Sequence, residues 1–203
     1  MNPLKVVLGF LPFVAFSVLT HVIDAGWAAG AGLLAAVVGI AVTARGGLKI
    51  PPTVQGAILL VMAVLAVTGG PGVDAFLTHY GPGLAGVLFG FFLVATASVI
   101  PFTAQISRDT VSPEYWHDPR FLDVNRRIST AWGLAVLVLG TCQVAGAEIG
   151  DTGAALGLRL AVNWVVPIVV LWQARNYSNR TAAVAHEAAA RHAAREAQQR
   201  SHS

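Results

Sequence analysis

Residues 25–44 read AGWAAGAGLLAAVVGIAVTA, and this stretch decides the fold because it carries no charge from end to end. A membrane-spanning helix needs about 20 mostly apolar residues, which is the length of this run. The whole chain has the same character, with 55% hydrophobic and only 11% charged residues. A soluble domain has about 25% charged residues, so we expect lipid rather than water to cover much of this surface.

Five further apolar runs flank this one, and each is bounded by charges or by glycine and proline. The chain is therefore predicted to be an all-α integral membrane protein, a bundle of six transmembrane helices. The predicted spans are residues 4–23, 25–44, 53–70, 82–105, 128–146 and 153–172.

The distribution of basic residues predicts the orientation of these six spans. With the N-terminus in the cytoplasm, twelve of the 13 lysines and arginines fall in cytoplasmic segments, and the outer loops hold none. The exception is Arg159, which lies inside the sixth span. Because cytoplasmic loops of membrane proteins are enriched in lysine and arginine, both termini are predicted to be cytoplasmic.

Two predicted domains follow from this topology: a six-span domain over residues 1–177 and an alanine-rich tail over residues 178–203. The first run has the charge and the apolar core of a signal peptide, but it is long for one, and we expect it to be retained. The tail is predicted to be a solvated helix, with favourable i,i+4 pairs such as Glu187 with Arg191.

The cytoplasmic loop between spans four and five contains two helix-start signals. Asp118-Pro119 combines an N-cap side chain with proline at the first helical position, and Ser112-Pro113 repeats the pattern. From Pro119 a helix is predicted to continue through span five to about Gly146.

Arg159 is the clearest candidate for an intramembrane polar site, because ionisable groups at membrane depth are commonly functional. Asn163 follows one turn later, and Pro167 lies near the same face. Asp24 and His21 belong to the same candidate site, and Arg159 is expected to pair with Asp24, Glu148 or Asp151. The structural alternative is an arginine that extends to the interface or forms one interhelical ion pair.

His21, Asp24, Asp74 and His79 are all predicted near the outer face. Together they offer ligand types for a metal, and two histidines are able to ligate a haem, but the spacing imposes neither. No metal and no cofactor is therefore predicted. Cys142 is alone in the chain, which excludes an intrachain disulfide.

A second candidate cluster lies where spans four and five meet the cytoplasm. Gln105, Arg108 and Asp109 leave span four, and Asn125 and Arg126 enter span five. Two interpretations remain open for this cluster: a structural hydrogen-bonded network, or a cytoplasmic gate or anionic-lipid head-group site.

Small residues predict where the helices pack closely. The candidates are Gly30 and Gly32 in span two, with Gly83, Gly86 and Gly90 in span four. Gly9-Phe10 and Ser17 are spaced like Gly90-Phe91 and Ser98, a pattern compatible with the 3+3 inverted repeats of transporters.

Residues 101–133 carry a resemblance. PFTAQ at 101–105, Trp116, PRF at 119–121 and TAWG at 130–133 look like a pattern in uncharacterised bacterial inner-membrane proteins. The pattern is more distantly similar to the intracellular septation protein A group. This resemblance implies a bacterial inner-membrane location and a role in the cell envelope or in division, and it transfers no catalytic residue.

Two functions are therefore predicted at nearly equal weight. One is a small transporter-like protein, supported by the repeat and by Arg159 with Asn163. The other is a structural or scaffold protein of the envelope, supported by the resemblance and by the basic loop and tail. An enzyme is less favoured, because no acid–base cluster is present. The expected partners are the bilayer, anionic lipid head groups and a second copy of the chain, but not nucleic acid.

Overall fold

The computed structural model describes residues 3–43, 49–108, 111–149 and 152–201. The described residues are 87% helical and contain no strand. Five helices are long and apolar enough to cross a membrane, and residues 10–19 form a shorter apolar helix. The all-helical prediction is confirmed. Asp109 and Asp151, which the sequence analysis singled out, lie outside the described residues.

The first four helices alternate in direction. They are α1 (Pro3–Leu19), α2 (Ala25–Thr43), α3 (Ile50–Thr68) and α4 (Pro71–Thr96). A tight turn at residues 20–24 joins α1 to α2, and Gly69 and Gly70 join α3 to α4. Gly70 has a φ of 80°, a left-handed conformation that glycine adopts without a steric penalty.

The second half of the chain is dominated by two long helices. The elements are α5 (Phe102–Ser107), a 3-10 turn (Pro113–Tyr115), α6 (Pro119–Ala147), α7 (Gly153–Leu160), a π segment (Ala161–Val165) and α8 (Val166–Ser201). Asp118 caps α6 as its sequence suggests, since its carboxylate accepts a hydrogen bond of 2.7 Å from Arg120 N–H. No break separates α8 at residue 178.

Helix α4 differs most from its predicted span of 82–105. It begins at Pro71 rather than near Pro82, and it ends at Thr96. Pro71 occupies the first turn, where a missing N–H costs nothing, so Gly70-Pro71 is a start signal. Pro101 interrupts the chain before it becomes helical again in α5, because the residue before a proline disfavours the helical conformation.

Helices α4 and α6 pack through glycines. A Cβ on Gly86 would lie 2.9 Å from the Cα of Gly140, and a Cβ on Gly83 would lie 3.0 Å from the Gly140 carbonyl oxygen. Gly32 of α2 is equally confined, at 2.9 Å from Leu59 Cδ1. Gly30 is different, because a Cβ there would meet nothing within 4 Å. The expectation of close packing was therefore wrong at Gly30 and right for the glycines of α4.

Aromatic side chains fill the centre between these helices. Phe16 and Phe89 are both fully buried. The ring of Phe89 receives Phe13 edge-on at 5.3 Å between centroids and Phe10 edge-on at 5.9 Å. Because edge-to-face pairs of this kind are favourable, they hold α1 against α4 at the middle of the bundle.

Candidate functional site

The bundle has two ends, and each carries one of the predicted polar groups. The end that holds the α1–α2 turn is called the Asp24 end, and the end that holds the start of α6 is called the Asn125 end. Hydrogen bonds between elements are concentrated at both ends. These bonds show which of the candidate side chains already have hydrogen-bond partners within the protein.

At the Asp24 end, side chains of α4 cap the first turn of α2. Asp74 Oδ1 accepts a hydrogen bond of 3.2 Å from Gly26 N–H, and Thr78 Oγ1 accepts one of 3.2 Å from Ala25 N–H. These two N–H groups have no partner within their own helix, so the contacts satisfy orphan donors. A carboxylate at this place also complements the helix dipole. Asp74 is thus engaged in a structural contact.

The two histidines of the Asp24 end, His21 and His79, are also engaged locally. His21 Nδ1 lies 2.8 Å from the carbonyl oxygen of Ser17, four residues earlier in α1, and the His21 side chain is otherwise exposed. The ring of His79 packs edge-on against Tyr80 at 4.6 Å between centroids. Among the described residues, no group of three histidine, cysteine or acidic side chains is close enough to hold a metal ion.

Glu148, one of the expected partners of Arg159, makes a different contact. Its carboxylate accepts a hydrogen bond from the Tyr80 hydroxyl and so ties the end of α6 to α4. Arg159 itself is half-buried in the last turn of α7. Asp24 and His21 lie in the exposed turn between α1 and α2. Arg159 in α7 and Asn163 in the π segment belong to one continuous helical run over residues 153–201, which is called the last helix. The π segment and α8 of this run pack on α6.

Pro167 explains the irregular stretch of the last helix. A proline has no N–H, so the carbonyl of the residue four positions earlier, Asn163, loses its usual donor. The backbone widens there into the π segment, in which Val166 N–H bonds to the Ala161 carbonyl five residues back. Such π segments within α-helices are frequent at functional sites.

Asn163 lies in the middle of this segment with its amide turned inward. Its Oδ1 atom is buried, and no described residue donates a hydrogen bond to it. The amide packs on Gly146 of α6, where a Cβ would come within 2.7 Å of Asn163 Cγ. Buried polar atoms are nearly always hydrogen-bonded, so an open acceptor at this depth calls for a donor.

Comparison of the chain with protein-family models, with curated proteins and with solved structures finds no match.

At the Asn125 end, the short helix α5 is fastened to α6 by a buried hydrogen-bond network. Thr103 Oγ1 donates to the Asn125 carbonyl at 2.9 Å, and Thr103 N–H donates to Ser129 Oγ at 3.2 Å. The two hydroxyls also lie 2.9 Å apart. The Asn125 side chain accepts from Ser107 Oγ at 3.3 Å and donates to the Phe121 carbonyl at 2.8 Å.

Gln105 joins the same network to α3. Its Oε1 atom accepts a hydrogen bond of 3.0 Å from Ile50 N–H, and its carbonyl accepts one of 2.9 Å from Lys49 Nζ. The Arg108 guanidinium lies over the Trp116 ring, 5.3 Å from the centroid. Of the predicted cytoplasmic cluster, Gln105 and Asn125 are thus held in structural bonds, and Arg108 is held by an aromatic ring.

Sequence reasoning did not single out Thr103 or Ser129, although both are almost completely buried. The signal for Ser129 was present, because it follows Asn125 by four residues and so shares its helix face. Thr103 offers no comparable signal, since only the packing of α5 on α6 brings it to Ser129.

Arg126 points away from this network and into a groove. The groove has a volume of 510 Å³ and lies between the end of α4, the start of α6 and the middle of α8. Its apolar side is formed by Val94, Ala131 and Leu134, and its polar side by Arg126, Arg127 and Tyr177. These residues define the Arg126 groove.

Proposed function

We propose that the chain is a bacterial inner-membrane protein with six spans and both termini in the cytoplasm. The apolar outer surface of the helices supports insertion: Trp27, Val67 and Val99 are 76%, 79% and 77% exposed. Exposed apolar area of this kind is unfavourable in water and is expected in lipid. The charge distribution supports the orientation, which makes the Asn125 end cytoplasmic and the Asp24 end external.

Single cysteines at the two ends test this orientation. In a Cys142→Ser background, we expect Thr152→Cys to react with a membrane-impermeant maleimide on intact cells. Glu114→Cys, which is equally exposed but lies at the opposite end, should react only after the membrane is opened. The reverse pattern would contradict the topology, and reaction of both positions on intact cells would contradict insertion.

Within this topology, we propose a small transporter-like function. The observation that carries this proposal is the buried Oδ1 atom of Asn163 in the π segment of the last helix, to which no described residue donates a hydrogen bond. In transporters, irregular backbone at membrane depth lines the path of the solute, and its polar groups contact the cargo. The open acceptor favours a small polar solute that donates a hydrogen bond, and Arg159 lies one turn away on the same helix.

The test uses access to Asn163 from both sides of the membrane. In the Cys142→Ser background, Asn163→Cys is expected to react with an impermeant maleimide in right-side-out vesicles and also in inside-out vesicles. The matched control is Ala29→Cys, which is fully buried in α2 and should react in neither. Reaction of Asn163→Cys from neither side would overturn the transport site.

Failure of Asn163→Cys to react from either side would favour a structural or scaffold protein of the cell envelope. The observation behind this candidate is the close glycine packing of α4 on α6, which leaves no space between the two helices. The resemblance to the septation group points the same way. A scaffold would pair with a second copy or with other envelope proteins, and its deletion would disturb cell shape or division without altering solute uptake.

A further inference from the structure

We propose that the Arg126 groove binds one anionic phospholipid, with the phosphodiester at Arg126 and an acyl chain along Val94, Ala131 and Leu134. The inference rests on membrane insertion as proposed above but not on the transport function. The groove's volume of 510 Å³ lies within the range of about 300–1,000 Å³ typical of ligand sites.

The two arginines of the groove differ in availability. Arg127 Nε donates to Asp123 Oδ2 at 3.0 Å, so a neighbouring carboxylate already offsets part of its charge. Arg126 is exposed, and no described residue accepts a hydrogen bond from its guanidinium. A guanidinium presents paired donors that match a phosphate, so the open fork of Arg126 is the recognition element.

The apolar side gives the groove its direction. Leu134 lies two turns after Arg126 on α6, toward the middle of the helix, and it is 49% exposed. Val94 faces it from α4. The charged end and the apolar wall thus follow one another along the helix axis, in the order in which a phospholipid presents its head group and its chain.

Tyr177 closes the third side from α8. It is 44% exposed, and tyrosine rings are enriched at the depth of lipid head groups. A free anion in water would need the arginine but neither the apolar wall nor an interfacial ring. The combination therefore selects an anionic lipid over a soluble phosphate.

Spin-labelled phosphatidylglycerol in phosphatidylcholine bilayers tests the proposal on the full chain. The motionally restricted fraction should exceed that of spin-labelled phosphatidylcholine. Arg126→Gln should lower the relative association of phosphatidylglycerol by about tenfold, the range of a lost charge-assisted hydrogen bond. The matched control, Arg120→Gln, removes the same charge from the same helix outside the groove. It should cost about fivefold or less, as expected for diffuse attraction of an anionic lipid.

A second variant removes space instead of charge. Ala131→Phe fills the apolar side and leaves every charge in place, so it should also reduce the restricted phosphatidylglycerol fraction severalfold. Equal losses for Arg126→Gln and Arg120→Gln would overturn the site in favour of diffuse electrostatics. Displacement of the lipid by inorganic phosphate at constant ionic strength would overturn it in favour of a soluble anion. Lipid association does not depend on which side of the bilayer the termini face. A negative result here is therefore distinguishable from a negative result in the cysteine-labelling test of the topology.

Discussion

Asp74 of α4 caps α2, a helix that begins 49 residues before it in the chain: its Oδ1 atom accepts a hydrogen bond of 3.2 Å from the Gly26 N–H. The contact joins α2 and α4 at the Asp24 end of the bundle. The Asp74 carboxylate, a ligand type that also suits a metal ion, thus serves as a helix cap.

Replacement of Asp74 by alanine should therefore destabilise the fold. Loss of an N-cap contact costs about 1 kcal/mol, since an orphan N–H of α2 is left without its partner. Thermal unfolding of the purified protein, followed by tryptophan fluorescence, measures the change. Glu114→Ala removes an exposed carboxylate from the 3-10 turn and serves as the control, with an expected change within about 0.5 kcal/mol. Equal effects of the two substitutions would argue against the cap.

Gly140→Ala should destabilise the fold more than alanine does at a glycine that has free space around it. The added methyl group would lie 2.6 Å from the Gly86 carbonyl carbon and 2.7 Å from the Gly83 carbonyl oxygen, both backbone atoms that cannot rotate away. Overpacking of this kind costs about 1–3 kcal/mol. The measurement is the same unfolding transition in detergent.

Gly30→Ala and Gly157→Ala provide the controls for that substitution, because a Cβ at either position meets nothing within 4 Å. Both should be neutral or slightly stabilising, since alanine restricts the unfolded chain more than glycine does. A loss of stability at Gly30 as large as that at Gly140 would show that the α4–α6 contact is not the cause.

Thr103→Val tests the buried network that holds α5. The substitution keeps the shape of the side chain but removes the hydroxyl that bonds Asn125 and Ser129, at a cost of about 1–3 kcal/mol. The double variant with Ser129→Ala should cost less than the sum of the two single changes, because the two hydroxyls share a bond. Thr141→Val, whose exposed hydroxyl bonds only its own helix, should change stability little. If the double variant lost as much unfolding free energy as the two single variants together, the shared network would be contradicted.

Trp132→Phe should loosen α8. The indole Nε1 donates a hydrogen bond of 3.0 Å to Ser178 Oγ, whereas the stacking on Phe10 does not need the indole nitrogen. Amide hydrogen exchange over residues 174–180 should increase in this variant. Trp116→Phe breaks a bond to the Val111 carbonyl and should affect exchange only in the loop around it. Unchanged exchange in α8 would show that the helix is held by packing alone.

The sequence predicted the helices well where periodicity and caps coincide. Asp118-Pro119 marks the start of α6, and the apolar run after it determines the helix to Ala147. The predicted start of α4 was wrong because Gly70-Pro71 both ends α3 and begins α4, whereas glycine and proline after an apolar run predict only an end. An end of one helix and a start of the next are both compatible with Gly70-Pro71. Only the packing of residues 71–81 on α2 shows that a helix begins there.

The candidate site was less predictable, for a physical reason. Arg159 stands out in a sequence because a charge inside an apolar run is conspicuous. Asn163 gains its importance from Pro167, which widens the helix, and from Gly146, which admits the amide against α6. These are relationships between a helix and its neighbour, and hydrophobic periodicity carries no information about which residues meet across two helices.

Helix α8 runs from Val166 to Ser201 with no glycine and no proline after Pro167. At 1.5 Å per residue it is a rod of about 54 Å. Because α8 begins directly at the π segment, any small rotation there would displace the far end of the helix by a much larger distance. A spin label attached near Ser201 would therefore report such a rotation at Asn163 as an amplified displacement.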